Sequence, residues 1–249
     1  MIPKIIHTFW GGDKNIEHYS FIDNWKQALK GRGYKIMVWK PEDFFLECSG
    51  FLKYTIKNRF WAHASDFIRF YVLNKYGGFW LDTDVKILKP FDDLLNAHYI
   101  ISCANYGNES DMFGLNELNN DTFKSSFSCF GFEKNHPFLQ GMIEEYRWAN
   151  FNINEDGCKE MDVSAFAKRF MSKNNLEFDI ITDTENHEDL LSNLETLTVY
   201  DDNKITLLPP VMFDYRYADE PLHPLMYTSH KHWGSWVPRY FEAIQKKEG

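Results

Sequence analysis

At 249 residues the chain is long enough to bury a full core, as one large domain or two small ones. Its net charge of −9 excludes nucleic acid as the main partner, because neutralising a phosphate backbone needs a surplus of Lys and Arg. No apolar run reaches the roughly 18 residues of a membrane span, and the apolar part of the N-terminal MIPKIIHTFWGG is too short for a signal peptide.

The expectation is a soluble, cytoplasmic protein, at most peripheral at the inner face of the cell membrane. Cys48, Cys103, Cys129 and Cys158 are scattered without metal-type spacing and read as reduced thiols. Eight Trp, 13 Tyr and 22 Phe are more aromatics than a core of this size needs. They read either as an aromatic core or as flat faces lining a site.

In chain order, 4–10 (KIIHTFW) reads as a short buried strand ended by Gly11–Gly12. Residues 16–29 carry Ile22, Trp25 and Leu29 at helical spacing, with Gly31 and Gly33 as the stop. The β-formers of 34–40 (YKIMVWK) predict a second strand, closed by Pro41. Strand, helix, strand at this spacing opens an α/β domain with parallel strands. Residues 58–76 form the clearest helix, on which Ala62, Asp66, Arg69 and Leu73 step by four, three and four along one face.

Gly77–Gly78 then breaks the helix and turns the chain sharply into FWLDTD. Strands at 99–104 and 126–132 enclose a polar loop (105–122), and a helix is predicted from Pro137 to Trp148. Beyond residue 150 the pattern predicts a helix at 162–172 and short strands at 177–181, 196–200 and 205–208. LLPPVMF (207–213) reads as a structured loop, and 225–236 (LMYTSHKHWGSW) begins as a strand. With no repeat, low-complexity tract or linker, one domain over 1–249 is the economical reading.

Ligands of open α/β sheets bind at the carboxyl ends of the strands. The strand FWL delivers Asp82 and Asp84 there, and at i and i+2 they point the same way if the backbone stays extended. Two converging carboxylates repel unless a cation lies near them, and hard oxygen ligands with open positions suit Mg²⁺ or Mn²⁺ shared with a substrate's phosphates. The similar triplet at 183–185 (DTE) lacks the apolar strand and the glycine turn and reads as a solvated loop. Asp66 and Arg69, on the helix that folds back against this strand, are either an ordinary i,i+3 ion pair or equipment for binding hydroxyls.

The order IPKIIHTFWGG, AHASDFIRFYVLNKYGGFWLDTDV, LLPPVMF, HKHWGSW resembles the D-x-D sugar transferases of glycosyltransferase family 32, and more distantly the clostridial glucosylating toxins. The likeness covers the first 95 or so residues and scattered blocks of the last 45. It implies a GT-A fold, an α/β Rossmann-like mixed sheet flanked by helices with a more irregular C-terminal half. Residues 1–104 would be the donor core, and 105–249 the acceptor side and a C-terminal loop. A nucleotide-sugar donor, UDP-linked by analogy, and Mn²⁺ or Mg²⁺ would be the cofactors.

By the resemblance Asp84 is the main metal ligand, Asp82 reaches ribose or donor sugar, Asp66 and Arg69 hold sugar hydroxyls, and Trp10, just before Gly11, stacks on the base. The C-terminal HKHWGSW also reads as a site by its local density. His232 is placed at the metal or diphosphate, with His230, Ser235 and Trp236 supporting.

The implied reaction is hexosyl transfer, with retention, to a glycan or lipid-linked glycan in surface-polysaccharide synthesis. The alternatives are a toxin-like protein glucosyltransferase, a non-enzymatic sugar-binding module and a D-x-D phosphohydrolase of the haloacid dehalogenase type. The last requires Thr or Val two residues after the second Asp, where Lys86 stands. Many bacterial relatives carry a Gly-Pro ahead of a Thr in the second half, where this chain has DGCKEMDVSAF.

Overall fold

A computed structural model of the chain describes residues 1–13, 15–18, 20–44, 49–103, 125–149, 151, 163–181, 185–201, 204–213 and 218–231. Its central sheet has the order β2-β1-β3-β6-β5. β1 (Ile5–Phe9) runs parallel to both β2 (Lys35–Trp39) and β3 (Gly78–Leu81). β6 (Ser125–Phe132) is antiparallel to β3 and to β5 (Tyr99–Cys103), so the sheet is mixed, as expected.

Helices cover both faces. α2 (Gly50–Lys57), α3 (Trp61–Tyr76), α4 (Pro137–Arg147) and α5 (Val163–Asn174) pack on one. α1 (Ile22–Ala28), α6 (His187–Ser192) and α7 (Leu194–Leu197) contribute to the core on the other. β3 shows the alternation directly: Phe79 and Leu81 enter the α1-side core, and Trp80 enters the α3-side core. The α3-side core absorbs much of the aromatic excess, with Phe67, Phe70, Phe130, Phe132, Phe138 and Phe166 all buried. Each fully buried Phe contributes about 1.5–3 kcal/mol.

Two small ladders complete the described structure. β4 (Val85–Ile87) pairs antiparallel with β9 (Thr228–His230), and β7 (Glu177–Ile180) pairs parallel with β8 (Lys204–Leu207). A bridge from Ser102 to Leu208 joins the second ladder to the sheet edge.

The turn between α3 and β3 explains its two glycines. Gly77 closes the helix, donating its N–H to Leu73 O at 2.7 Å with φ +66°. Gly78 has φ +109°, and a Cβ there would sit 2.5 Å from Ile5 O, so glycine alone lets β3 start this close to β1.

Several expectations are corrected. The helix predicted over 58–76 begins at Trp61, because Arg59 takes a left-handed φ of 59° after α2. The helix predicted over 16–29 is a 3₁₀ turn, Ile16–His18, followed by α1. The predicted strand at 196–200 is the end of α7 instead. Thr198 Oγ1 donates back to Leu194 O at 2.7 Å and accepts from His98 N–H at 2.9 Å, so tertiary contacts override the β-branched propensity. LLPPVMF folds into a buried 3₁₀ turn at Pro210–Met212. The loop 105–122 lies outside the described residues.

Candidate active site

The carboxyl ends of β1 and β3 lie side by side. β1 and β3 pair in parallel at Ile6–Phe79 and His7–Trp80, so the two strands deliver Trp10 and Asp82 at the same edge of the sheet. Asp82 leaves the sheet by donating its N–H to Ser128 O at 2.8 Å. The chain then turns rather than staying extended: Val85 N–H bonds back to Asp82 O at 3.0 Å. This turn, not strand alternation, brings Asp84 round toward Asp82, and that corrects the extended reading of the pair.

α1 supports the turn from the other side. Phe21 N–H donates to Thr83 O at 3.0 Å, and the Trp25 indole donates to Val85 O at 2.7 Å. The Asn24 amide pairs with both backbone groups of Ile87, at 2.8 and 3.1 Å. With β4 held there, its ladder with β9 sets His230 opposite Val85, and Lys231 N–H donates to Asp84 O at 3.1 Å. His230 Nε2 lies 3.3 Å from Asp84 Oδ1. One carboxylate oxygen each of Asp82 and Asp84 and one ring nitrogen of His230 fall within 4.8 Å of one another.

Two carboxylates and an imidazole at this spacing form a donor set that fits Mn²⁺ or Mg²⁺ while leaving positions open. Burial pushes the Asp82 carboxyl above its usual range, with Asp84 adding to the shift and Arg69, His230 and Trp80 opposing it.

Arg69 lies beneath this cluster with its side chain only 6% exposed. Its Nη2 reaches Asp66 Oδ1 at 2.8 Å and Ser65 Oγ at 2.8 Å, and lies 3.5 Å from Asp82 Oδ1. Nη1 donates to Phe127 O at 2.7 Å and Nε to Ser65 O at 3.3 Å. Burial works against the guanidinium charge, but the Asp82 and Asp66 carboxylates outweigh it and hold its pKa above the ordinary value. The Trp80 indole donates to Asp82 Oδ1 at 2.8 Å, and the Arg69 guanidinium carbon lies 5.3 Å from the Trp80 ring centre.

Trp10 is half-buried at the end of β1, its N–H donating to Trp39 O at 3.0 Å. The next two residues are glycines for a steric reason: a Cβ on Gly11 would collide with the Trp61 ring, and one on Gly12 would lie 2.9 Å from the Trp10 ring.

The structure therefore brings Asp66, Arg69, Asp82 and Asp84 together, with Trp10 and Gly11 at the same edge of the sheet. His230, a supporting residue in the sequence reading, joins the two aspartates directly. His232, Ser235 and Trp236 lie outside the described residues. Trp80, Asn24 and Ser65 are the site residues that sequence reasoning missed. Trp80 had a signal, since W-x-D at i and i+2 shares one face of a strand. Asn24 and Ser65 had none, because each acts on residues it meets only in the folded chain.

This is a sheet-edge site built around an acidic, cation-type donor set. Residues 17–101 match the family model of the glycosyltransferase sugar-binding region containing the DXD motif. The chain is 28% identical over 162 residues to inositol phosphoceramide mannosyltransferase 3 of Schizosaccharomyces pombe, covering 61% of this chain and 39% of that protein. On these residues the chain is similar to the DXD-containing glycosyltransferases, and it spans less than half the length of that relative.

Among solved structures it is similar to the PaToxG glycosyltransferase, with a TM-score of 0.48 and 15% identity over 79% of this chain and 86% of that one. A galactosyltransferase, LgtC, in complex with donor and acceptor sugar analogues gives a TM-score of 0.35 and 12% identity, covering 96% and 94%. Among the described residues no helix is long and apolar enough to cross a membrane.

Proposed function

We propose that the protein is a divalent-metal-dependent hexosyltransferase of the GT-A type. It would move a sugar from a nucleotide diphosphate, UDP-linked by the resemblance, to a hydroxyl of a glycan or lipid-linked glycan, with retention. The single observation that carries this reading is the Asp82–Asp84–His230 donor set at the carboxyl end of β3, with Asp66 and Arg69 directly beneath it.

Asp84, His230 and Asp82 would hold Mn²⁺ or Mg²⁺. When bound, such an ion supplies Lewis-acid stabilisation of the charge that grows on a departing diphosphate. Asp66 accepts hydrogen bonds from the donor sugar's hydroxyls, and Arg69 holds that carboxylate and Asp82 in place beside it. Positioning of this kind is itself a large contribution to rate. Trp10 offers its ring to the base, and Gly11 lets the chain pass close beside it.

His232, Ser235 and Trp236 are assigned to the diphosphate. Residues 1–104 serve the donor, 105–249 the acceptor and the C-terminal loop. The setting is surface-polysaccharide synthesis in the cytoplasm, with peripheral contact to the membrane that carries the acceptor.

The test needs no acceptor. Nucleotide-sugars, mannose donors included because the yeast relative is named for mannosyl transfer, are screened for Mn²⁺-dependent hydrolysis. One donor should be cleaved, and Asp84→Ala should abolish that turnover. Full activity of Asp84→Ala, or activity unaffected by a chelator, would remove the metal assignment. Hydrolysis of a simple aryl phosphate with no use of nucleotide-sugars would restore the phosphohydrolase reading.

A further inference from the structure

Asp82 carries out its role with one of its oxygens already engaged. Trp80 and Asp82, at i and i+2, share the α3-side face of the end of β3, and this is why the indole reaches the carboxylate. The Trp80 N–H donates to Oδ1 at 2.8 Å, and Arg69 Nη2 lies 3.5 Å from the same oxygen. Trp80 is 1% exposed, packed in the α3-side core against the guanidinium, so its ring cannot swing away from this contact.

Arg69 is fixed in turn by Ser65, Asp66 and the carbonyl of Phe127. These contacts engage Nε, Nη1 and Nη2 and commit most of the five guanidinium N–H donors to the protein itself. A buried guanidinium committed in this way is built to hold its neighbours in place.

We infer that Trp80, backed by Arg69, is the positioning residue of the cation site: it anchors Asp82 through Oδ1 and thereby presents Oδ2 as the single oxygen available to an incoming divalent ion. This rests on the cation reading of Asp82, Asp84 and His230 given above. It assigns Asp82 a one-oxygen, oriented role and leaves Asp84 as the principal ligand. It also reassigns Arg69, by the protein acceptors that fill its fork, from a sugar ligand to a residue acting through Asp66 and Asp82. Outer-shell donors of this kind are worth about 10–100-fold in metal affinity.

Trp80→Phe removes the N–H and keeps a ring against Arg69. Mn²⁺ binding is measured by calorimetry on the whole chain for wild type, Trp80→Phe, Asp82→Asn and the double variant. Trp80→Phe should weaken binding about tenfold. In the Asp82→Asn background the same change should add nothing, because the indole acts through that carboxylate. A general loss of packing would weaken both backgrounds equally, and that result overturns the inference, as does unchanged binding in Trp80→Phe.

A wild-type protein that takes up no Mn²⁺ overturns the cation reading and this inference with it. Wild-type binding alongside an indifferent Trp80→Phe overturns the inference alone. The unaltered protein gives a second readout should the variant fail to fold. The indole N–H resonance of Trp80 should shift as Mg²⁺ is added, and a resonance unmoved at saturation overturns the inference.

Discussion

At the scale of single residues the site is a matter of where a few polar groups are allowed to point. Asp82 and Asp84 were legible in the sequence, because carboxylates directly behind an apolar strand and a glycine turn have no solubility purpose. Their manner of meeting was not legible, since a turn closed by Val85 N–H replaces the extended strand. His230 stood in the sequence as one imidazole of a dense cluster. Its place beside Asp84 follows from the pairing of Val85 with His230, a contact between distant parts of the chain. Trp10 belongs to this scale too. Trp10→Ala should raise the donor KM by the equivalent of roughly 1–3 kcal/mol, the worth of a stacked base in nucleic-acid contacts. Steady-state kinetics on the donor identified by the hydrolysis screen check this, and an unchanged KM would take Trp10 out of the site.

At the scale of elements, two short connections decide whether the site forms. Gly78 combines φ +109° with a hypothetical Cβ 2.5 Å from Ile5 O. Gly78→Ala should therefore destabilise the fold by at least about 1–3 kcal/mol through backbone strain, with the clash added to it. Thermal unfolding should show the midpoint falling by several degrees. Asn24 supports the other connection. Its amide pairs with both backbone groups of Ile87 and steadies β4, the strand against which β9 lays His230.

Asn24→Ala should lose two hydrogen bonds worth about 1 kcal/mol each. It should also weaken Mn²⁺ binding, although Asn24 is not a ligand; titration with Mn²⁺ checks that outcome. The glycine break was plain in the sequence, because Gly-Gly after a helix has few other uses. α2 and α6 were not anticipated, since 50–57 is a short segment and 187–192 lies in a polar stretch that reads as loop. The β-branched run at 196–200 misled for the opposite reason, its propensity overruled by the buried contacts of Leu194 and Thr198.

At the scale of the whole molecule, buried histidines contribute to the response to acid. His7, His63 and His136 all have their pKa lowered to about 4 by burial, from an ordinary 6.5. For His7 the tautomer is fixed as well. The Trp39 indole donates to Nδ1 at 3.0 Å, so Nε2 carries the proton it gives to Gly77 O at 2.9 Å. Protonating Nδ1 would break the first of these bonds.

The unfolded chain takes up these protons near pH 6.5 and the folded chain near 4. The histidines' contribution to stability is therefore fully present above about 6.5, is lost as pH falls from there to about 4, and levels off below. A shift of this size is worth at most about 3.5 kcal/mol for each group. Urea unfolding at a series of pH values should show this slope. His7→Gln, whose amide can both accept from Trp39 and donate to Gly77, should flatten it. An identical slope in His7→Gln would mean that His7 does not titrate in this window.

Local chemistry was enough to read the mixed α/β class, the helix bearing Asp66 and Arg69, the glycine turn and the acidic pair. Apolar periodicity, turn residues and charge placement act within a few residues of chain, and a linear text displays them. The grouping of Asp82 and Asp84 with His230, the hold of Asn24 on β4 and the engagement of Trp80 and Arg69 with Asp82 depend on register between remote segments. Those contacts arise when a particular packing of both sheet faces is the one that buries the aromatic core, and no local pattern encodes that choice.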